Sequence, residues 1–201
     1  MPTKKSTNGA AKPAFTIPGM DARADARTAE LLQERLTSLI DLSLVLKHVH
    51  WNVVGPTFIG VHQMLDPQVD AVRAMVDETA ERIAALGASP NGNAGALVAA
   101  RTWDDYDLLR ASVMEHLGAL DAVYSGVIAS HRRAIDELED LDLVSQDMLI
   151  GQAHTLEQAH WFVRAHLEGA DGTLVTGSAK TELGAARRAR TRTLEPAARK
   201  R

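Results

Sequence analysis

The chain has 201 residues, which suits one domain with a sizeable core and terminal arms rather than two full domains. Hydrophobic residues make up 45% and aromatics only 4%, with Ala and Leu abundant, a balance that favours helices over strand cores. The absence of cysteine excludes disulfides, zinc–thiolate sites, iron–sulfur clusters and thiol nucleophiles, so any metal must be held by His, Asp or Glu. No apolar run approaches the roughly 20 residues that cross a bilayer, and Met1–Met20 lacks a secretory apolar core, which predicts a soluble cytoplasmic protein with no membrane partner. The net charge of −4 is unevenly spread. After Glu182 come Arg187, Arg188, Arg190, Arg192, Arg199, Lys200 and Arg201 against the single acid Glu195. Residues 1–20 carry Lys4, Lys5 and Lys12 with no acid. The body is therefore strongly acidic and the ends basic, so the two should meet different partners.

Residues 1–20, closed by Pro18-Gly19, read as a flexible basic arm. A first helix is predicted from about Thr28 to about Val54, with Leu32, Leu36, Leu39, Leu46 and Val53 on one seam and Gly55-Pro56 as its stop. A second runs from about Phe58 to Leu86 through Val61, Leu65, Val69, Val72, Val76 and Ile83. Pro67 inside it predicts a kink near Asp66. Residues 87–105 form a long connection with room for a short helix near Trp103–Tyr106. A third helix is predicted over about Tyr106–Leu138 (Leu109, Val113, Leu117, Leu120, Val127) and a fourth over about Leu143–Glu168 (Met148, Leu149, Leu156, Val163, Leu167). Four long helices with one long crossover describe an all-α, ferritin-like four-helix bundle over 21–175. Residues 176–201 read as a flexible basic tail, with the cation-rich stretch from Ala185 disordered.

The chemistry is concentrated in His50, His62, Asp66, Asp77 and Glu81. His62 and Asp66 are four apart and share one face of the second helix; so do Asp77 and Glu81. Asp66 to Asp77 is close to three whole turns, so the two pairs lie on nearly the same face but about 16 Å apart along the axis. Metal–ligand bonds of about 2 Å do not span that gap within one chain. An antiparallel copy of the helix across a two-fold axis would join His62 and Asp66 of one chain to Asp77 and Glu81 of the other, making two equivalent sites. His50 can add an imidazole from the first helix. Each pair alone also fits a solvated helix face, and His50 alone fits a hydrogen-bonded core histidine. What favours a site is that the acidic pairs flank the apolar stripe.

Two motifs are set aside. His48 and His50 point about 200° apart on a helix, so both do not reach one ion. Glu157-Gln158-Ala159-His160 is a Glu-x-x-His element, but an intrabundle di-iron centre needs a second one, which the sequence lacks.

The stretches KHVHWNVVGPTFIGVHQMLD (47–66) and DETAERIAALG (77–87) resemble the two characteristic segments of Dps proteins, the DNA-binding proteins from starved cells. The resemblance runs through most of 28–170, and the second half is most like actinobacterial members. It implies a di-iron site at the two-fold subunit interface, with His50, His62 and Asp66 from one subunit and Asp77 and Glu81 from its mate. Trp51 matches a family tryptophan beside the iron site that accepts an electron during peroxide chemistry; a plain core aromatic is the other reading. The family also implies a ferroxidase that uses hydrogen peroxide and stores ferric mineral in a dodecameric shell. Asp140, Asp142 and Asp147 are candidates for a three-fold pore that draws in Fe(II), or else for the cap and first-turn acids of the fourth helix. The basic tail (Arg187, Arg188, Arg190, Arg192, Arg199, Lys200, Arg201) fits non-specific phosphate pairing and a nucleoid-associated protein. The alternatives are a DNA-compacting protein with little ferroxidase activity and an ordinary 24-subunit ferritin.

Overall fold

A computed structural model describes Phe15 and residues 17–194. Helix α1 (Ala22–Asn52) begins where the Asp21 carboxylate accepts from the backbone N–H groups of Arg23 and Ala24. Its Leu seam is buried as predicted, with Leu32, Leu36, Leu39 and Leu46 in the core. Strand β1 (Val53–Val54) and a turn through Gly55 lead into α2 (Phe58–Ala85). Gly55 has φ of +119°, which a side chain would resist, so the chain reverses there. Helix α2 packs along α1 through Val61, Leu65, Val69 and Val72. Phe58, placed on that seam by the sequence, is instead exposed at the helix start.

The crossover holds α3 (Ala94–Ala100), so the short helix lies earlier than the predicted Trp103–Tyr106. The reason is tertiary. Asp41 on α1 accepts from Trp103 Nε1 at 2.6 Å and from Arg101 at 3.2 Å, which holds this stretch against α1 in non-helical form. Helix α4 (Val113–Leu138) also starts later than Tyr106. Ser112 and Glu115 form a capping box, while Leu109 lies in the preceding loop and is exposed. Strand β2 (Ala111–Ser112) pairs in parallel with β1, Val53 opposite Ala111. That bridge brings the end of α1 and the start of α4 to the same end of the bundle. Helix α5 (Leu143–Leu167) follows a four-residue turn and packs along α4. Two buried clusters fill the bundle, one around Leu46, Leu65, Leu117 and Leu156, the other around Leu32, Ile83, Leu138 and Leu149.

The expected unstructured tail is overturned over Glu182–Leu194, which form α6. Ala185, Ala186 and Ala189 are buried against α4, where Gly118 lets the helices touch. A Cβ on Gly118 would come within 2.8 Å of the Ala185 carbonyl. Composition alone missed this, because three alanines add little apolar surface to a cation-rich stretch, yet at helical spacing they fit a glycine groove closely. The basic arm (Lys4, Lys5, Lys12) and Arg199, Lys200, Arg201 and the Arg192 side chain lie outside the described residues.

Candidate metal centre

The last turn of α1 and the first turns of α2 meet across the Gly55 reversal, which sets His50 over His62. Their rings stack with centroids 3.6 Å apart. His50 Nδ1 lies 3.0 Å from the His62 carbonyl, and His62 Nδ1 lies 2.9 Å from the His50 carbonyl. A carbonyl oxygen only accepts, so both Nδ1 atoms carry the hydrogen and donate. A ring held this way offers Nε2 to a cation, the arrangement that carbonyl partners impose on metal-binding histidines, and His50 Nδ1 also lies 3.2 Å from Asp66 Oδ1. Asp66 completes the group. One ligand atom from each of His50, His62 and Asp66 fits within 4.8 Å of the others. Nitrogen and carboxylate donors of this kind suit Fe(II) and leave positions open.

Sequence reasoning overlooked one neighbour. Lys47 Nζ donates to Asp66 Oδ1 at 2.8 Å, and this bond holds the Asp66 carboxyl below the usual carboxylate range. The signal was available, since Lys47 stands three residues before His50 and so on the same side of α1.

Asp77 and Glu81 lie farther along α2, both exposed, and do not join the three-residue group within this chain. Trp51 is 71% exposed, so it is no core aromatic of a single subunit. It is accompanied by exposed Phe58 and Ile59 at the start of α2. Asp142 follows the capping reading. It is buried, accepts from the backbone of Val144 and Ser145, and pairs with Arg82 at 2.7 Å. Asp140 and Asp147 are exposed.

Both motifs set aside on sequence grounds have structural partners. His48 Nε2 is 2.7 Å from the Leu108 carbonyl, tying α1 to the crossover. Glu157 pairs with Arg132, while His160 points elsewhere, to Asp121 at 2.7 Å. Asp121 also accepts from Arg164 and Thr176, each at 2.8 Å. Burial by itself would raise this carboxyl, but the three donors outweigh that and bring it down to about 2.

A ferritin-like domain model matches residues 29–172. The "DNA protection during starvation protein" of Mycolicibacterium smegmatis is 58% identical over 176 residues, spanning 88% of this chain and 96% of that one. The chain belongs to the Dps family. The solved structure titled "Mycobacterium smegmatis Dps" superposes with a TM-score of 0.82 at 58% identity, covering 83% of this chain and 95% of that one. "DpsA14 from Streptomyces coelicolor" does so with 0.82 at 55% identity, covering 84% and 100%.

In this Dps chain α6 presents Arg187, Arg188 and Arg190 outward. Arg188 donates to the Thr176 carbonyl at 3.3 Å and Arg190 to Glu115 at 3.4 Å, so the cations sit on an ordered helix. Among the described residues no helix is long and apolar enough to cross a membrane.

Proposed function

We propose that this protein is a cytoplasmic, nucleoid-associated ferroxidase that oxidises Fe(II) with hydrogen peroxide at a site two subunits share. The observation that carries this is the convergence of His50 and His62, each with its Nδ1 hydrogen engaged, on Asp66. Three ligands from one chain hold an ion incompletely, and Asp77, on nearly the same face of α2, is about 16 Å from Asp66 along the axis, with Glu81 a turn farther on. A two-fold mate of α2 supplies them, and its approach also covers Trp51, Phe58 and Ile59.

The substrate chemistry balances simply. Two Fe(II) ions each give up one electron, the O–O bond of hydrogen peroxide breaks, and with two protons two waters form. Delivering both electrons together avoids release of hydroxyl radical. The ligands' part is to hold two ions close together and to neutralise the charge as Fe(III) forms. Trp51, next to the ligand His50 in the chain, is the candidate for single-electron exchange at this site. The ferric product collects inside a closed, dodecameric shell, with Asp140 and Asp147 as remaining candidates for the entry pore. Non-specific binding of DNA through the basic tail completes the protective role, with a log–log salt slope of about −4 to −5 per tail.

The test is peroxide-driven Fe(II) oxidation by His62→Ala and Asp77→Ala proteins, alone and co-assembled. Each alone should be inactive, and the mixture should recover activity because some sites then combine two intact halves. Wild-type rates in both single variants would end the ferroxidase reading. A DNA-compacting protein with little ferroxidase activity is the second reading, favoured by the outward arginines of α6. An intrabundle centre of the large-ferritin kind is opposed by His160 and Glu157, which are engaged with Asp121 and Arg132.

A further inference from the structure

Helix α6 is held to the bundle through short side chains. Three alanine methyl groups and the Gly118 groove supply its apolar contact, and its tethers from Arg188 and Arg190 are long. Arg190 reaches Glu115 while Glu182 lies beside Ala122, Val123 and Gly126, so α6 runs antiparallel to α4. That direction carries Glu182, its first residue, over the mouth of a cavity of about 370 Å³ between α1 and α4.

The surroundings of Glu182 are hostile to its charge. Asp41 faces it from α1, and Asp104 and Asp107 from the crossover. No ion pair to Glu182 is formed among the described residues, and two nearby cations are engaged elsewhere. Arg35 of α1 is engaged with Ser130 and Glu34, and Arg101 of the crossover with Asp41 and Asp105. Arg133 of α4 is at the cavity wall, and Tyr106 feels the Glu182 charge directly. The positive end of α6 favours a carboxylate at this position, but only weakly beside three acids. Burial first, and then Asp107, Asp41 and Asp104, push the Glu182 carboxyl up to about 7.

We propose that α6 is a detachable arm whose docking on α4 is held by a proton on Glu182, so that rising pH frees the basic tail to reach DNA phosphates. This rests on the tail's reading as a DNA-binding segment. Docked Glu182 holds its proton more tightly than a freed glutamate, so by linkage docking is strongest in acid. It weakens as pH rises from the ordinary carboxylate range towards about 7 and then levels off. Because Glu182 is only partly shielded, the whole change should be about tenfold. The tail holds no histidine, so direct tail–DNA attraction supplies no rise with pH of its own.

Hydrogen exchange of the α6 amides in the assembled full chain, at about pH 5.5 and about pH 8 and corrected for intrinsic rates, reads docking directly. Wild type should lose about tenfold of its protection at the higher pH. Glu182→Gln should stay protected at both, and Gly118→Val, which wedges the helices apart, should be unprotected at both. Random-sequence duplex DNA at constant ionic strength should then favour wild type over Glu182→Gln at the higher pH alone. Equal pH dependence in wild type and Glu182→Gln, or none in wild type, overturns the latch. A latch that moves with no change in this binding ratio overturns its link to DNA. No DNA binding by any variant overturns the tail's role, while the exchange data still decide the latch.

Discussion

The Lys47 ammonium sits on Asp66 Oδ1 at 2.8 Å, where a metal ligand would be needed, so an arriving Fe(II) competes with a cation the chain itself supplies. Replacing it by Met should tighten anaerobic Fe(II) binding by a few-fold, because the carboxylate no longer has to exchange a charge-assisted bond for the metal. Calorimetry checks this, and weaker binding would instead make Lys47 the group that orients Asp66. Asp121 makes a different residue-scale case. Its folded value of about 2 lies below the ordinary carboxylate range, so its contribution is complete above about pH 4 and lost as pH falls towards 2. His131, which burial pushes down to about 4, adds a loss that begins near its ordinary value and grows as pH falls. Urea midpoints measured down through this range should therefore fall in two stages. Asp121→Asn should flatten the lower one, and at neutral pH it should destabilise by about 2 kcal/mol. An unchanged acid profile would remove Asp121 from this role. Spacing on α2 pointed to His62, Asp66, Asp77 and Glu81, and the structure gathers His50, His62 and Asp66. Lys47 was legible only as a neighbour of His50 on α1, and Asp121 not at all, since it matters through His160, 39 residues away.

Elements were legible where their own apolar period and caps agreed. The four long helices begin and end within a few residues of expectation, except at the start of α1, which the Asp21 cap sets six residues earlier, and at the start of α4. There the apolar run from Tyr106 continues a helical pattern, but the Ser112–Glu115 capping box starts the helix seven residues later. The box was visible in the sequence as Ser-x-x-Glu, and such a cap contributes about 1 kcal/mol. The Trp103 stretch differs, because the pull on it comes from Asp41 on another helix. Helix α6 is the strongest case. Its composition is that of a solvated tail, and only the absence of a side chain at Gly118 gives its alanines a surface to cover.

At the scale of the whole molecule, the exposed side chains are the informative ones. Trp51 follows His50 in α1, Phe58 stands edge-on to His62 with Ile59 next to it, and Leu143, Val144, Ile150 and Trp161 lie along α5. Patches of this kind mark interaction surfaces, and the first is the one that the proposed two-fold mate would cover. Ile59→Glu should therefore split the assembly at the two-fold interface and abolish peroxide-driven iron oxidation together with it. Sedimentation and oxidation rates on the same sample check both; an intact assembly that still oxidises iron would place the mate's acids elsewhere. The all-α bundle, its long crossover and the separation of His62–Asp66 from Asp77–Glu81 follow from the sequence by itself, because helical period and rise are local properties of the backbone. The tertiary structure decided what depends on contacts between distant segments: the hydrogen-bond partners that set the tautomers of His50 and His62, the lysine that stands on Asp66, and the folding of part of the basic tail into a helix against Gly118.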